Sequence, residues 1–210
     1  MRDGAPKEPK RSLEIENTYD VEDSTPLPAW NLLPGVESVG EPEVRELDAR
    51  YFDTADMALS HARVAIRRRT GGPDAGWHIK ASAAEGRHES HWPLDEQDAD
   101  SAVVPPAVAA AAGEWAAGEF LPLARIRNSR TAYALCDANG RLVAEVVDDR
   151  VSARAERTGV ETSWREWEVE LGPAAPKDSD AFFAHVDALV ASVGGRAAAS
   201  DSKLGRALGR

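Results

Sequence analysis

Alternation of apolar and polar residues is the dominant pattern of this chain, and it is clearest in residues 13–21, LEIENTYDV. Successive side chains of a β-strand point to opposite faces of the sheet. One face of this predicted strand therefore carries the apolar residues Leu13, Ile15, Tyr19 and Val21. The opposite face carries the polar residues Glu14, Glu16, Thr18 and Asp20.

Similar alternation predicts further strands along most of the chain, separated by turns that contain glycine or proline. We place these strands at residues 44–52, 64–70, 76–81, 87–94, 123–135, 141–153 and 162–171. Asn139-Gly140 is the dipeptide most typical of a tight hairpin and joins two of them. Residues 1–11 are charged and are expected to form a disordered tail.

Helical patterns occupy the remaining segments. An alanine-rich stretch at 95–119 predicts one or two helices between two strand-rich halves. An amphipathic helix is expected at 178–193, opened by an Asp/Ser cap and closed by Gly194-Gly195. Short helices are expected at 57–63 and 202–208.

Charged residues recur on one face of several predicted strands, and their signs differ from strand to strand. These rows are Glu166, Glu168 and Glu170 with Trp164; Arg67 and Arg69; Lys80 and His78; and Arg125 and Arg127, with Arg130 nearby. An ordinary half-buried sheet would turn each such face to water. Recurrence on five or six strands instead favours a barrel with a polar interior and helices on its outer surface.

The polar face of residues 13–21 suggests a particular chemistry. Glu14 and Glu16 lie side by side, as two oxygen ligands of a hard divalent cation would. Solvated surface glutamates are the ordinary alternative for such a pair. Arginine forks and lysine ammonium groups bind phosphate oxygens, so basic rows together with paired glutamates suit a polyphosphate and a metal ion.

Composition narrows the class of partner. The chain has 25 Lys and Arg against 36 Asp and Glu, a formal net charge of −11, which argues against a nucleic-acid partner or an anionic membrane. Its single cysteine, Cys136, provides neither a disulfide framework nor a cysteine-rich zinc site. The five histidines do not form a metal-spaced set. Without an apolar run of roughly 20 residues or an apolar leader, we expect a cytoplasmic protein.

Several short motifs, taken in order, resemble the CYTH superfamily, also called triphosphate tunnel metalloenzymes. The chain matches the two acidic positions of the opening Glu-x-Glu-x-Lys signature of that family with Glu14-Ile15-Glu16. The further matches are Tyr51-Phe52-Asp53-Thr54, Leu59, Ile66–Arg69, Trp77–Lys80, Arg125–Arg127 with Arg130, Val147–Asp149, Glu166–Glu170 and Ser202-Lys203-Leu204. The resemblance covers roughly residues 12–208, nearly the whole chain.

The resemblance implies an α+β fold, namely an eight-stranded antiparallel closed β-barrel, the triphosphate tunnel, with helices packed outside. It implies a single tunnel domain over residues 12–208, with the helical insert at about 95–119. In such proteins basic residues hold a triphosphate, acidic residues bind Mg²⁺ or Mn²⁺, and water attacks a terminal phosphorus.

Carried over residue by residue, the resemblance assigns three overlapping sets of side chains. The implied substrate-binding residues are Arg67, Arg69, Lys80, Arg125, Arg127, Arg130 and Lys203. The implied metal ligands are Glu14, Glu16, Asp149, Glu166, Glu168 and Glu170. The implied catalytic residues are Glu14, Glu16, Lys80 and Arg130. Asp148 points to the opposite face from Asp149, and the sequence leaves open which of them faces the interior.

One departure from the family pattern concerns the signature lysine, whose position is occupied by Thr18. From the resemblance as a whole, we expect a metal-dependent triphosphatase that acts on inorganic tripolyphosphate or a related triphosphate. Two alternative functions remain open. The first is a non-catalytic module that binds polyphosphate or organic phosphates, which Thr18 favours. The second is a class IV-type adenylate cyclase. The expected partner is a triphosphate-containing small molecule, and both a monomer and a homodimer remain open.

Overall fold

The computed structural model describes residues 8–94, 103–200 and 202–210. Its strands are β1 (Lys10–Glu14), β2 (Glu16–Val21), β3 (Ser38–Val39), β4 (Glu43–Asp53), β5 (Val64–Thr70), β6 (Gly76–Ala83), β7 (Gly86–Pro93), β8 (Leu121–Cys136), β9 (Leu142–Ala155), β10 (Glu161–Leu171) and β11 (Arg196–Ala197). Its helices are α1 (Ala58–His61), α2 (Pro106–Ala112), α3 (Ser179–Ser192) and α4 (Lys203–Ala207). The chain divides into two compact units.

The first unit comprises Met1–Glu14, Leu47–Arg127 and Ala153–Glu161. Its hydrogen-bonded strands follow the order β1-β7-β6-β5-β4, and the register of each neighbouring pair is antiparallel. The apolar side chains of these strands pack with residues of α2 into one buried core, which includes Phe52, Ile66, Trp77, Val108 and Ala112. The helix therefore covers the apolar face of this part of the sheet, and Arg67, Arg69 and Lys80 lie on the other face.

The second unit comprises Ile15–Glu46, Asn128–Ser152 and Thr162–Arg210. Its strands follow the order β8-β9-β10-β2-β11, and β3 pairs with β8. The core of this unit joins Trp167 and Val169 of β10 to residues of α3, including Phe182, Val186 and Val190. Asp178 caps α3 by accepting a hydrogen bond from the backbone N–H of Ala181, as the sequence predicts.

The predicted antiparallel β architecture with helices on its apolar faces is confirmed, with two differences in the strands. The described residues form eleven strands where eight are expected, because β3 and β11 are two-residue additions and the first predicted strand is divided. That strand divides at Ile15, since Glu14 pairs with Arg87 whereas Glu16 pairs with Glu170. Glu14 and Glu16 consequently belong to different units.

The segments outside the strands also differ in extent from the prediction. Strand β1 begins at Lys10, within the segment expected to be a disordered tail. In the predicted helical insert the structure has α2, and residues 95–102 lie outside the described part of the chain. Among the described residues, no helix has the length and apolarity needed to cross a membrane.

Candidate active site

Three carboxyl groups of the second unit converge on one point. One oxygen each from Asp149, Glu166 and Glu168 lies within 4.8 Å of the others. Asp149 comes from β9 and has no exposed surface, while the two glutamates come from alternate positions of β10. Alternation of side chains along β10 places Glu166 and Glu168 on the same face, opposite the buried Trp167.

Two basic side chains, Lys203 and Arg130, make the shortest ion pairs with this acidic cluster, and Arg206 lies 3.8 Å from Glu166. The Lys203 ammonium lies 2.8 Å from Oδ2 of Asp149 and 2.5 Å from Oε1 of both Glu166 and Glu168. Arg130 donates from Nη2 to Oδ2 of Asp149 at 2.6 Å and to Oε2 of Glu168 at 2.7 Å. The cluster thus binds a cation, here an ammonium group supplied by the chain itself.

Burial and charge act against each other on these groups. Burial alone would lower the pKa of Lys203, but the surrounding carboxylates raise it above its ordinary value. Burial alone would raise the pKa of Asp149, yet Lys203 and Arg130 hold it below its ordinary value. Burial and the charge of Glu168 raise the pKa of Glu166. The cluster therefore retains negative charge mainly through its basic partners.

Strand β2 extends the acidic face next to β10. The antiparallel register places Glu16, Thr18 and Asp20 directly opposite Glu170, Glu168 and Glu166, respectively. Directly opposite residues of an antiparallel pair project from the same face. Thr18, the position of the family lysine, is thus the immediate cross-strand neighbour of a cluster carboxylate, Glu168.

Asp148 has a different role from its neighbour. Its two carboxylate oxygens each accept a 2.8 Å hydrogen bond from Arg165, whose Nη1 also donates to the backbone carbonyls of Glu22, Asp23 and Thr25. Asp149, by contrast, contacts Arg130 and Lys203. In the second unit, therefore, Asp149 joins the acidic cluster and Asp148 anchors the loop after β2.

The first unit contains a second group of charged side chains, on the polar face of β5, β6 and β7. Lys80 donates from Nζ to Oε2 of Glu14 at 2.5 Å. Oε1 of Glu89 lies 3.4 Å from Nζ of Lys80 and 3.6 Å from Nη2 of Arg67. The buried Nε–H of Arg67 has no hydrogen-bond partner within the described part of the chain. Arg69 forms an ion pair with Asp74.

His78 lies in the middle of this group and is completely buried. Its Nδ1 is 2.8 Å from Oε1 of Glu89, and its Nε2 is 3.1 Å from the backbone carbonyl of Asp74. Burial lowers the pKa of His78 to about 3, although its hydrogen bond with Glu89 acts in the opposite direction. Arg67 and Arg69 contribute to the lowering, so the imidazole is neutral near pH 7.

Glu89 and His78 are the site residues that sequence reasoning misses. Glu89 lies directly opposite Lys80 in the β6–β7 hairpin. The hairpin register would have shown this pairing, but only if the length of the turn between residues 81 and 87 had been known. His78 precedes Lys80 by two residues and shares its face, but the five histidines form no metal-spaced set, so the sequence does not assign it a role.

Two predicted phosphate-binding residues, Arg125 and Arg127, belong neither to the acidic cluster nor to the charged group around Lys80. Both contact Asp48 instead. In the first unit, Arg125 forms a bidentate contact with Asp48, with Nη2 2.5 Å from Oδ2. Nε of Arg127 lies 3.5 Å from the same carboxylate, and 61% of its side chain is exposed. A phosphate bound by these arginines would compete with Asp48.

The acidic cluster fits a divalent metal by its chemistry. Mg²⁺ and Mn²⁺ prefer carboxylate oxygens, and Asp149, Glu166 and Glu168 present three of them around a position that holds a cation. Glu16 of β2 and Glu170 of β10 lie opposite each other on the same face of the sheet, beside the cluster. Glu14, the remaining predicted ligand, pairs with Lys80 in the first unit.

Comparison with known proteins agrees with these observations. The family model of the CYTH domain matches residues 33–190. Two uncharacterized proteins of Mycobacterium tuberculosis, from strains CDC 1551 / Oshkosh and ATCC 25618 / H37Rv, are each 36% identical to the chain over 216 residues. Each alignment covers 96% of this chain and 41% of the relative, so the chain spans less than half of the curated relatives it matches.

Solved structures share the fold at low sequence identity. A protein of Bacillus halodurans, described as a candidate adenylate cyclase, has a TM-score of 0.64 at 17% identity, with 93% of this chain and 97% of that chain covered. A candidate adenylyl cyclase from Hippeastrum, reported with a dominant triphosphatase activity, has a TM-score of 0.61 at 16% identity, with 94% and 96% covered.

Proposed function

The chain belongs to the CYTH domain family, and we propose that it is a divalent-metal-dependent hydrolase of a triphosphate such as inorganic tripolyphosphate. The observation that carries the proposal is the acidic cluster, in which Asp149, Glu166 and Glu168 surround the ammonium group of Lys203. A cluster of this kind offers the oxygen ligands that hard divalent ions use when they act on phosphates.

The proposal assigns the carboxylates of the second unit to the metal. Asp149, Glu166 and Glu168 would hold it, and Glu16 and Glu170 would bind its water ligands from the neighbouring rows. When bound, the metal would withdraw electron density from the phosphoryl oxygens and neutralise their charge. Arg130 already orients two of the carboxylates, which reduces the rearrangement needed on metal binding.

The proposal assigns the basic residues of the first unit to the phosphates. Arg67 supports this assignment because its buried Nε–H has no hydrogen-bond partner among the described residues. An unpaired buried donor is costly, so an incoming phosphate oxygen would be stabilised there. Lys80 supplies a point charge beside it, and Arg69 lies on the same strand.

Two observations keep the alternative functions in view. Thr18 replaces the signature lysine, which favours a module that binds phosphates without turnover. The Bacillus halodurans protein is described as a candidate adenylate cyclase, which favours a cyclase. Products separate the three functions, since a hydrolase releases inorganic phosphate, a cyclase makes cyclic AMP and pyrophosphate from ATP, and a binder releases neither.

The proposed function can be tested with tripolyphosphate and ATP as substrates, by following phosphate release and cyclic AMP. We expect release from tripolyphosphate with Mg²⁺ or Mn²⁺, loss of activity with a chelator, and abolition of activity in a folded Glu16→Ala protein. Glu161→Ala is the matched control, because Glu161 lies at the exposed end of β10. Activity that persists in the chelator would refute the metal-dependent hydrolase.

A further inference from the structure

Glu89 keeps an unusual distance from the two basic side chains beside it. Its Oε1 is 3.4 Å from Nζ of Lys80 and 3.6 Å from Nη2 of Arg67. Direct hydrogen bonds between charged nitrogen and oxygen atoms are shorter, about 2.7–2.9 Å. Glu89 therefore balances the charge of these residues without occupying their hydrogen-bonding positions.

His78 accounts for this separation. The same oxygen of Glu89 makes its short contact, 2.8 Å, with Nδ1 of His78. Both the Glu89 carboxylate and the Asp74 carbonyl only accept hydrogen bonds, and a neutral imidazole has a single N–H. The contact with Glu89 is the shorter one and involves a charged acceptor, so we assign this N–H to Nδ1, where it donates to Glu89. The carboxylate is bound to a neutral donor on one side and stands back from the cations on the other.

The ring of His78 is enclosed by its neighbours. Its side chain is completely buried, and its Nε2 faces the backbone carbonyl of Asp74 at 3.1 Å. The ring of His91 stacks on it with centroids 4.7 Å apart and an interplanar angle of 26°. Such a ring cannot follow the carboxylate if Glu89 shifts towards Lys80 and Arg67.

We propose that His78 is a positioning residue that holds Glu89 away from Lys80 and Arg67, so that Arg67 and the Lys80 donors not used by Glu14 can bind phosphate oxygens. This inference rests on the proposed function, because it assigns those cations to the triphosphate. Without the Nδ1 donor, Glu89 would close onto Lys80 and Arg67, and an incoming triphosphate would first have to displace it. The effect therefore falls on substrate affinity.

The test compares two substitutions that each retain one half of the imidazole. In His78→Asn the side-chain amide nitrogen takes the place of Nδ1, whereas in His78→Gln it takes the place of Nε2. We expect His78→Gln to bind tripolyphosphate about tenfold more weakly, the effect of one charged hydrogen bond. The KM should rise by a similar factor with little change in kcat, and His78→Asn should restore wild-type binding.

A double-mutant cycle with Glu89→Gln separates positioning from a merely structural role. Glu89→Gln removes the competing charge, so it should bind tripolyphosphate at least as tightly as the wild type. In that background His78→Gln should have little further effect on affinity. His91→Asn is the control, since His91 touches the His78 ring but its Nε2 faces the carbonyl of Ala75 at 3.4 Å.

The outcomes are read from calorimetric dissociation constants beside phosphate release, with folding checked by thermal unfolding. Two results would overturn the inference about His78 but not the proposed hydrolase. One is that His78→Gln weakens tripolyphosphate binding equally in the wild-type and Glu89→Gln backgrounds, and the other is that it leaves the affinity of the wild type unchanged. Tripolyphosphate binding without turnover would overturn the hydrolase and leave the positioning test intact. If His78→Gln does not fold, weaker binding by Glu89→Gln than by the wild type would overturn the inference.

Discussion

The Lys203 ammonium lies 2.8 Å from Oδ2 of Asp149, a carboxyl group with no exposed surface. Lys203 is the first residue of α4, and the side chain of Ser202 caps that helix by accepting from the backbone N–H of Gly205 at 3.0 Å. An ammonium group and a divalent metal use the same carboxylate oxygens. Lys203 and a metal ion are therefore expected to compete for Asp149, Glu166 and Glu168.

Replacing Lys203 tests this competition. In Lys203→Met the three carboxylates would keep Arg130 and the more distant Arg206, 3.8 Å from Glu166, as basic partners. The metal-free protein should therefore lose about 3–5 kcal/mol of unfolding free energy. Mn²⁺ should recover part of that loss and raise the melting temperature of the variant more than that of the wild type. Thermal unfolding with Mn²⁺ and with a chelator measures both effects.

Lys177→Met provides the control, because Lys177 is exposed in the same unit and lies before α3. It should leave both the melting temperature and its response to Mn²⁺ unchanged. If Lys203→Met were as stable as the wild type in the chelator, the ammonium would not be the cation that holds the cluster together.

Sequence patterns predict those parts of the site that depend on local alternation. Glu166 and Glu168 are two residues apart on one strand, so the pattern alone puts them on one face, and the structure agrees. The choice between Asp148 and Asp149 has no such signal, because buried residues occupy both faces of β9, as Val146 and Val147 show.

Features that depend on the choice of a distant partner strand escape sequence reasoning. The division of the first strand at Ile15 arises because β1 pairs with β7 whereas β2 pairs with β10. Conversely, a motif identified by resemblance can be structural. The buried Asp53 carboxylate accepts hydrogen bonds from the backbone N–H groups of Thr54, Leu59 and Ser60, and so organises the turn into α1.

The neighbouring residues Asp148 and Asp149 predict opposite phenotypes. Asp148→Asn should destabilise the protein by about 1–3 kcal/mol, because it weakens the bidentate contact that fixes Arg165. Metal-dependent activity per folded molecule should stay near the wild-type value. Asp149→Asn should instead lose metal-dependent turnover. Urea unfolding and phosphate release on both variants check this, and loss of turnover in a folded Asp148→Asn protein would contradict the assignment.

The buried histidine predicts a pH dependence of stability. The pKa of His78 is lowered from an ordinary 6.5 to about 3, so between these values the unfolded chain binds the additional proton. Unfolding free energy contributed by His78 is thus present above pH 6.5 and is lost as the pH falls. Burial raises the pKa of Glu89, but its hydrogen bond with His78 and the charges of Lys80 and Arg67 lower it by more, so Glu89 adds a loss of stability only below its ordinary pKa of 4.5.

We therefore expect about 2 kcal/mol less unfolding free energy from His78 at pH 5 than at pH 7, at 1.36 kcal/mol per pKa unit. His78→Asn should flatten this part of the profile. His185→Asn should leave it unchanged, since His185 is exposed on α3. Urea unfolding at the two pH values makes the comparison, and parallel profiles for wild type and His78→Asn would rule out His78 as the source.

Restoring the family lysine at position 18 should strengthen phosphate binding. Thr18 lies directly opposite Glu168, so a lysine there would project from the face that carries the acidic cluster. Its ammonium would add a positive charge beside the metal ligands, where a partly buried setting strengthens Coulomb attraction. We expect Thr18→Lys to bind tripolyphosphate with Mg²⁺ roughly tenfold or more tightly, the effect of a charged hydrogen bond.

Turnover then distinguishes a hydrolase from a binder. In a hydrolase, the added ammonium should also stabilise charge on the departing phosphate and raise kcat, whereas in a binding module affinity alone should increase. Thr162→Lys adds the same charge at an exposed position of β10. An equal gain in tripolyphosphate affinity in that variant would mean that the effect comes from net charge and not from position 18. Unchanged affinity and rate in a folded Thr18→Lys protein would mean that the β2 face opposite Glu168 does not meet the substrate.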